Sequence, residues 1–224
     1  MSHYTVAVFH RDDQDLEDLL APYSENLRVE PYIRYTKQEA IDYVRKNIVG
    51  YGVGDGKSDE ECWDFMAKEY DDKTDGDGNI YSTYNPKSKW DWYCVGGRWA
   101  GEIIPNDEAR VKDIDFSPNR QEYEEAITFW KENVVGDGND RLYKKEYYID
   151  RYKTAEKYAE CCAGFNTYAV VTPDGEWHAP GEMWWFGVST ESDDECVDWY
   201  DHYKERFIDT ADPEWILTIV DCHI

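Results

Sequence analysis

The sequence is short of positive charge: 24 lysines and arginines stand against 49 aspartates and glutamates, a formal net charge of −25 over 224 residues. That deficit excludes a general surface for a nucleic-acid backbone, because phosphate contacts need clustered cations. Basic proteins are the better partners, and no direct nucleic-acid binding is expected. No apolar run approaches the length of a membrane span, and Met1-Ser2-His3-Tyr4 has neither the basic start nor the apolar stretch of a signal peptide. A cytoplasmic protein with no membrane partner is therefore expected. The six cysteines (Cys62, Cys94, Cys161, Cys162, Cys196, Cys222) show no C-x-x-C spacing, and the adjacent Cys161 and Cys162 are badly placed to bridge each other, so reduced thiols are expected. The five histidines (His3, His10, His178, His202, His223) are scattered and there is no H-E-x-x-H, so neither a metal nor another cofactor is expected.

Aromatic residues are plentiful where charge balance is not. They make up 16% of the chain and lift the hydrophobic share to 41%, which implies a folded core despite a mean hydropathy of −0.84. A chain of this length builds one well-buried domain, with or without an insertion. Residues 1–224 are read as a single α+β domain: a mainly antiparallel sheet from strands near 3, 32, 80, 90, 166, 177, 183 and 215, helices packed on it, and a helical-hairpin insertion at about 105–164. Trp215 to Cys222 is apolar on both faces, which places the last strand inside the sheet. Thr36-Lys37-Gln38-Glu39, Ser58-Asp59-Glu60-Glu61 and Ser192-Asp193-Asp194-Glu195 are capping boxes that open helices. Ser117-Pro118 opens another helix, a long one spans about Arg141 to Ala163, and Pro173-Asp174-Gly175 is a hairpin turn. Asp75-Gly76-Asp77-Gly78-Asn79 matches the middle of a calcium loop, but Lys73 and Tyr84 fall where two key ligands belong, so a turn is expected. Gly50, Gly52, Gly54 and Gly56 follow a helix and sit beside Asp55 and Asp59, which suits a linker rather than a phosphate cradle.

One stretch stands apart from the acidic background. Asn85-Pro86-Lys87-Ser88-Lys89-Trp90-Asp91-Trp92-Tyr93-Cys94-Val95-Gly96-Gly97-Arg98-Trp99 gathers three tryptophans, three cations and a glycine pair around one carboxylate. Strand alternation over Trp90 to Val95 puts Trp90 and Trp92 on one side, Asp91 and Tyr93 on the other. Gly96-Gly97 permits a tight turn that aims Arg98 and Trp99 beside the strand. As structure, the tryptophans fill core and Arg98 pairs with Asp91 or a surface carboxylate. As a ligand site, Asn85, Lys87, Lys89, Asp91, Tyr93, Arg98 and Trp99 hold a nucleotide-like anion, cations on the phosphate and an aromatic face on the base. As a protein-binding patch, the same residue types are those enriched at interface hot spots.

The motif, together with Leu217-Thr218-Ile219-Val220-Asp221-Cys222-His223-Ile224, resembles a poorly characterised group of proteins from phages, prophages and gut bacteria. The resemblance implies a phage or mobile-element setting and transfers no catalytic residue.

Acid is concentrated in three runs, at 11–30, 55–77 and 190–205, with net charges of −5, −7 and −6. Asp59, Glu60 and Glu61 in the second and Asp193, Asp194, Glu195 and Asp198 in the third are the candidate partner-binding residues. Asp221 and His223 sit two apart on the last strand and face one way, as a carboxylate orienting an imidazole would, but no Ser or Cys nucleophile can be assigned to them. No catalytic residue is named. The favoured expectation is a non-catalytic, plausibly phage-borne protein that inhibits a host nucleic-acid-binding or defence protein by occupying its cationic surface. The alternative is a small-molecule protein that sequesters or processes a nucleotide-like anion at residues 85–99.

Overall fold

The computed structural model describes residues 2–47, 56–70, 73–183 and 188–224. Its fold is α+β, and the chain divides into two compact units: Glu25–Lys87, and the residues up to Ser24 together with Ser88–Ile224. Where the sequence suggested one domain, the boundary between units falls inside the 85–99 motif, between Lys87 and Ser88. Gly50, Gly52 and Gly54 of the expected linker, and 184–187 of the strand expected near 183, lie outside the described residues.

The larger unit is built on a six-stranded sheet. Its strands are β1 (His3–His10), β4 (Trp92–Val95), β5 (Glu108–Arg110), β6 (Ala169–Val171), β7 (Trp177–His178) and β8 (Ile216–His223). β8 is interior, as its apolar composition requires: β1 runs antiparallel along one side, and β4 and β5 lie end to end along the other. The sheet is mainly antiparallel, with one parallel pair, β1 with β6. Alternation gives each face its core. Ala7, Phe9, Leu217 and Ile219 face Trp199, Tyr203 and Phe207, the i, i+4, i+8 stripe that begins on α7 (Asp193–Tyr203). Tyr4, Val6, Val8, Val220 and Cys222 face Leu19, Leu20 and Trp90 on the other side. The α7 capping box forms as read, with the Ser192 hydroxyl accepting from the Glu195 amide and the Glu195 carboxylate accepting from the Ser192 amide.

The segment 105–164 differs from the expected helical hairpin because β5 within it joins the sheet. Its first helix, α4 (Arg120–Phe129), is capped by Asn119, whose carboxamide accepts from the amides of Gln121 and Glu122; the Ser117 amide is taken instead by Asp115. The long helix expected over 141–163 is two, α5 (Lys145–Tyr152) and α6 (Ala155–Ala163). Lys153 adopts φ 65° and the Thr154 hydroxyl caps a new start. The stripe of Tyr148, Tyr152, Ala155 and Ala159 keeps helical spacing across that break, so periodicity could not reveal it.

In the smaller unit, β2 (Arg28–Tyr35) and β3 (Ile80–Tyr84) pair antiparallel. α2 (Lys37–Asn47) and α3 (Asp59–Tyr70) bring Ala40, Ile41, Val44, Cys62 and Met66 together with Ile80. The calcium-like segment is a turn. The Asp75 carboxylate accepts from the amides of Asp77 and Asn79 and from the Asn79 side chain, bonds that lower its pKa. Among the described residues no helix is long and apolar enough to cross a membrane.

Candidate functional site

The sheet face that packs against α7 is apolar only along part of its length. Toward the start of β1 and the end of β8 the same alternating positions become polar: His3 continues the Ala7 and Phe9 row, and Asp221 and His223 continue the Leu217 and Ile219 row. The register sets His3 directly opposite His223, and Trp92 of β4 opposite His223 on the other side. Five side chains thereby meet. His3 Nδ1 lies 2.9 Å from Asp221 Oδ1, and His223 Nδ1 lies 2.6 Å from Asp91 Oδ1. The two imidazoles meet edge to face with ring centroids 4.9 Å apart, and Trp92 stacks on His223 at 5.4 Å. The Trp92 side remains open, with 44% of that residue exposed, while Asp221 is buried.

The sequence placed Asp221 and His223 on one face, where a carboxylate could orient an imidazole; the structure gives Asp221 to His3 and Asp91 to His223. A carboxylate oxygen accepts and does not donate, so in each pair the ring Nδ1 carries the hydrogen and the neutral ring keeps its lone pair on Nε2. Neither Nε2 has a hydrogen-bond partner among the described residues. Both rings are largely enclosed, with 12% of the His3 side chain and 7% of the His223 side chain exposed.

The glycine pair explains how the buried carboxylate is held. Gly97 has φ +54°, and a Cβ there would fall 2.3 Å from the Asp221 Cβ. Its bare backbone lets Asp221 approach and accept from the Arg98 amide at 3.0 Å. Gly96, at φ +69°, does the same for Asp107, whose carboxylate accepts from the Gly101 amide at 2.7 Å. The two glycines seat carboxylates rather than a phosphate.

Within the larger unit the residues of the motif do not converge as one site. Trp90 lies outside the strand, which starts at Trp92, and that shift breaks the expected alternation. Trp90 packs edge-on against Tyr93 in the core of the opposite face, while Asp91 reaches the Trp92 side to hold His223. Tyr93 is therefore absent from the site. Lys89 is engaged by Glu182 at 2.6 Å. Asn85 and Lys87 belong to the smaller unit, where the Asn85 carboxamide accepts from the Lys87 amide in a local turn. Trp99 is half-buried in the short helical turn Gly97–Trp99. Arg98 is exposed and forms no ion pair among the described residues, so the expected pair with Asp91 is not made. Of the predicted residues the structure brings the Asp91 carboxylate and the Arg98 backbone amide to the site; His3 and Trp92 are the ones the sequence missed.

Cys94 stands opposite Asp221 in the β4–β8 register. Burial, and then the Asp221 charge, raise its thiol pKa, which disfavours the thiolate a nucleophile would need. Among the described residues no three His, Cys, Asp or Glu side chains gather in a metal-holding group.

All seven partner-binding candidates are exposed, but most are already engaged. Asp59 pairs with Arg45, Asp193 with Arg151, and Asp198 with His202 and Arg206. Glu61 and Glu195 complete capping boxes, whose amide hydrogen bonds hold both carboxyls below the ordinary glutamate range. Glu60 and Asp194 carry no hydrogen bond or ion pair among the described residues.

Fold and site together define an α+β protein that carries a carboxylate-held histidine pair at one end of its sheet. No family model, curated protein or solved structure matches the chain.

Proposed function

We propose that the protein binds a small nucleotide-like anion at the His3, His223, Trp92 and Arg98 site. The observation that supports this reading is the placement of two carboxylate-held imidazoles against an exposed indole, at the strand end where the Arg98 amide meets Asp221. An imidazole pair and Arg98 complement a phosphate, and the indole offers a face for a base. Size selection follows from charge. A chain of net −25 repels a polyanionic strand at long range, whereas a mono- or dinucleotide carries too little charge to be kept out. Thermal melts with a panel of mono-, di- and cyclic nucleotides test this. A ligand at a hundredfold excess over its Kd should stabilise the wild type by about 2.7 kcal/mol. Arg98→Ala should leave the melt of the free protein nearly unchanged, since the guanidinium makes no hydrogen bond or ion pair among the described residues, and remove most of the ligand shift. A panel without effect on the wild type overturns the reading.

The exposure of the acidic runs favours a second reading, in which Asp59, Glu60 and Glu61 of the smaller unit, and separately Asp193, Asp194, Glu195 and Asp198 of the larger, each offer an acidic face to a cationic partner, a host nucleic-acid-binding or defence protein met in a phage setting. Glu60 and Asp194 are the side chains to test, because reversing them breaks no hydrogen bond or ion pair among the described residues. Glu60→Lys with Asp194→Lys should slow association with a basic partner recovered from host lysate several-fold and flatten its salt dependence. Association at an unchanged rate across a salt series counts against it.

A further inference from the structure

We infer that His3 and His223 form a general acid–base couple that cleaves a short ribonucleotide at its phosphodiester, using the ribose 2′-hydroxyl as nucleophile. The inference rests on the nucleotide-binding reading and adds a reaction to it. Asp221 and Asp91 fix both rings in the same tautomer, with Nε2 directed away from the carboxylate. Either ring can take a proton on Nε2, and its carboxylate then stabilises the imidazolium formed. Two such rings with centroids 4.9 Å apart can face one phosphate, one neutral and one protonated. That is the requirement for moving a proton from a nucleophile to a leaving group. The nucleophile must come with the substrate: the partners of the imidazoles are carboxylates, not hydroxyls or thiols, and the nearby Cys94 thiol is held in its protonated form. A ribonucleotide supplies one in its 2′-hydroxyl.

The step balances without an added reactant. The neutral imidazole removes the 2′-hydroxyl proton as the 2′-oxygen bonds to phosphorus, and the phosphorus–O5′ bond breaks. The protonated imidazole gives its proton to the departing 5′-oxygen. The products are a 2′,3′-cyclic phosphate and a free 5′-hydroxyl. Arg98 pairs with the phosphate oxygens, while Asp221 and Asp91 are positioning residues that touch the imidazoles and not the substrate.

The test incubates the full chain with the set of ribodinucleoside monophosphates in buffer containing EDTA, with 2′-deoxy analogues alongside, and separates products by chromatography. Cyclic phosphate should form from the ribo compounds and not from the deoxy analogues. His3→Asn and His223→Asn keep an amide nitrogen near the Nδ1 position for the carboxylate but remove Nε2. Each should slow cleavage by about 10²-fold or more, while the deoxy analogue still raises the melting temperature. Should either variant fail to fold, Arg98→Ala, whose side chain makes no hydrogen bond or ion pair among the described residues, should weaken ribodinucleotide cleavage in a folded protein. Binding of the deoxy analogues without cleavage of any ribodinucleotide overturns the inference and leaves the binding reading intact. Cleavage at an unchanged rate in both Asn variants also overturns it, and absence of binding removes both.

Discussion

Asp221→Ala is expected to lower stability by about 2–4 kcal/mol, because a part-buried donor left unpaired costs roughly 1–3 kcal/mol and Asp221 serves two. Those donors are His3 Nδ1–H and the Arg98 amide. Asp221→Asn keeps one carbonyl acceptor and should cost less. Urea unfolding of the three proteins, followed by far-UV circular dichroism, compares the midpoints at constant slope. If Asp221→Ala unfolds within about 0.5 kcal/mol of the wild type, a margin typical of uninvolved surface positions, the carboxylate does not hold the strand ends and the glycine turn together. In that case the geometry assigned to His3 loses its support.

Gly97→Ala should have an effect of similar size through a different cause. A non-glycine residue in left-handed backbone costs about 1–2 kcal/mol, and forcing atoms into filled space adds about 1–3 kcal/mol. The atom that an added Cβ would meet at 2.3 Å is the Cβ of Asp221, too near its own backbone to swing aside. Gly101→Ala is the control: at φ +71° it bears the backbone cost, but nothing lies within 4 Å of the added carbon. The same urea series should place Gly97→Ala well below Gly101→Ala. Equal losses would mean that the close approach of strand and turn contributes nothing to stability.

How far the sequence could be read depended on the range of the signal. Capping boxes at Thr36, Ser58 and Ser192, the turn at Pro173-Asp174-Gly175 and the interior position of β8 were legible because each is decided within a few neighbouring residues. Asp221 and His223 were correctly placed on one face, since period two is local. Their partners were not legible. His3 and Asp221 are 218 residues apart, and what brings them together is the register between two strands, which no local pattern states. His3 is in phase with Ala7 and Phe9, the one trace of its position. Asp91 was misplaced for a related reason: alternation counted from Trp90 assumed a strand that begins two residues later, and the irregular backbone there lets Asp91 and Trp92 work on the same side. The glycine pair was recognised as a turn, but its purpose became visible only with the carboxylates seated against it.

The interior position of β8 also dictates an order of events. β1, β4, β5 and β6 are all synthesised before the strand that joins three of them, and β4 and β5 pair with β8 alone among the described strands. A ribosome-bound chain that has not yet released β8 therefore presents unpaired strand edges and aromatic residues without the middle of their sheet. Pairing of this separation closes slowly, since the entropy of a long loop is lost before any contact compensates. Neither imidazole pair exists in that interval, because His223 and Asp221 arrive with β8. The nascent polypeptide is both exposed to association through its edges and devoid of the histidine–carboxylate pairs until β8 completes the sheet, so the same step closes the edges and assembles the pairs.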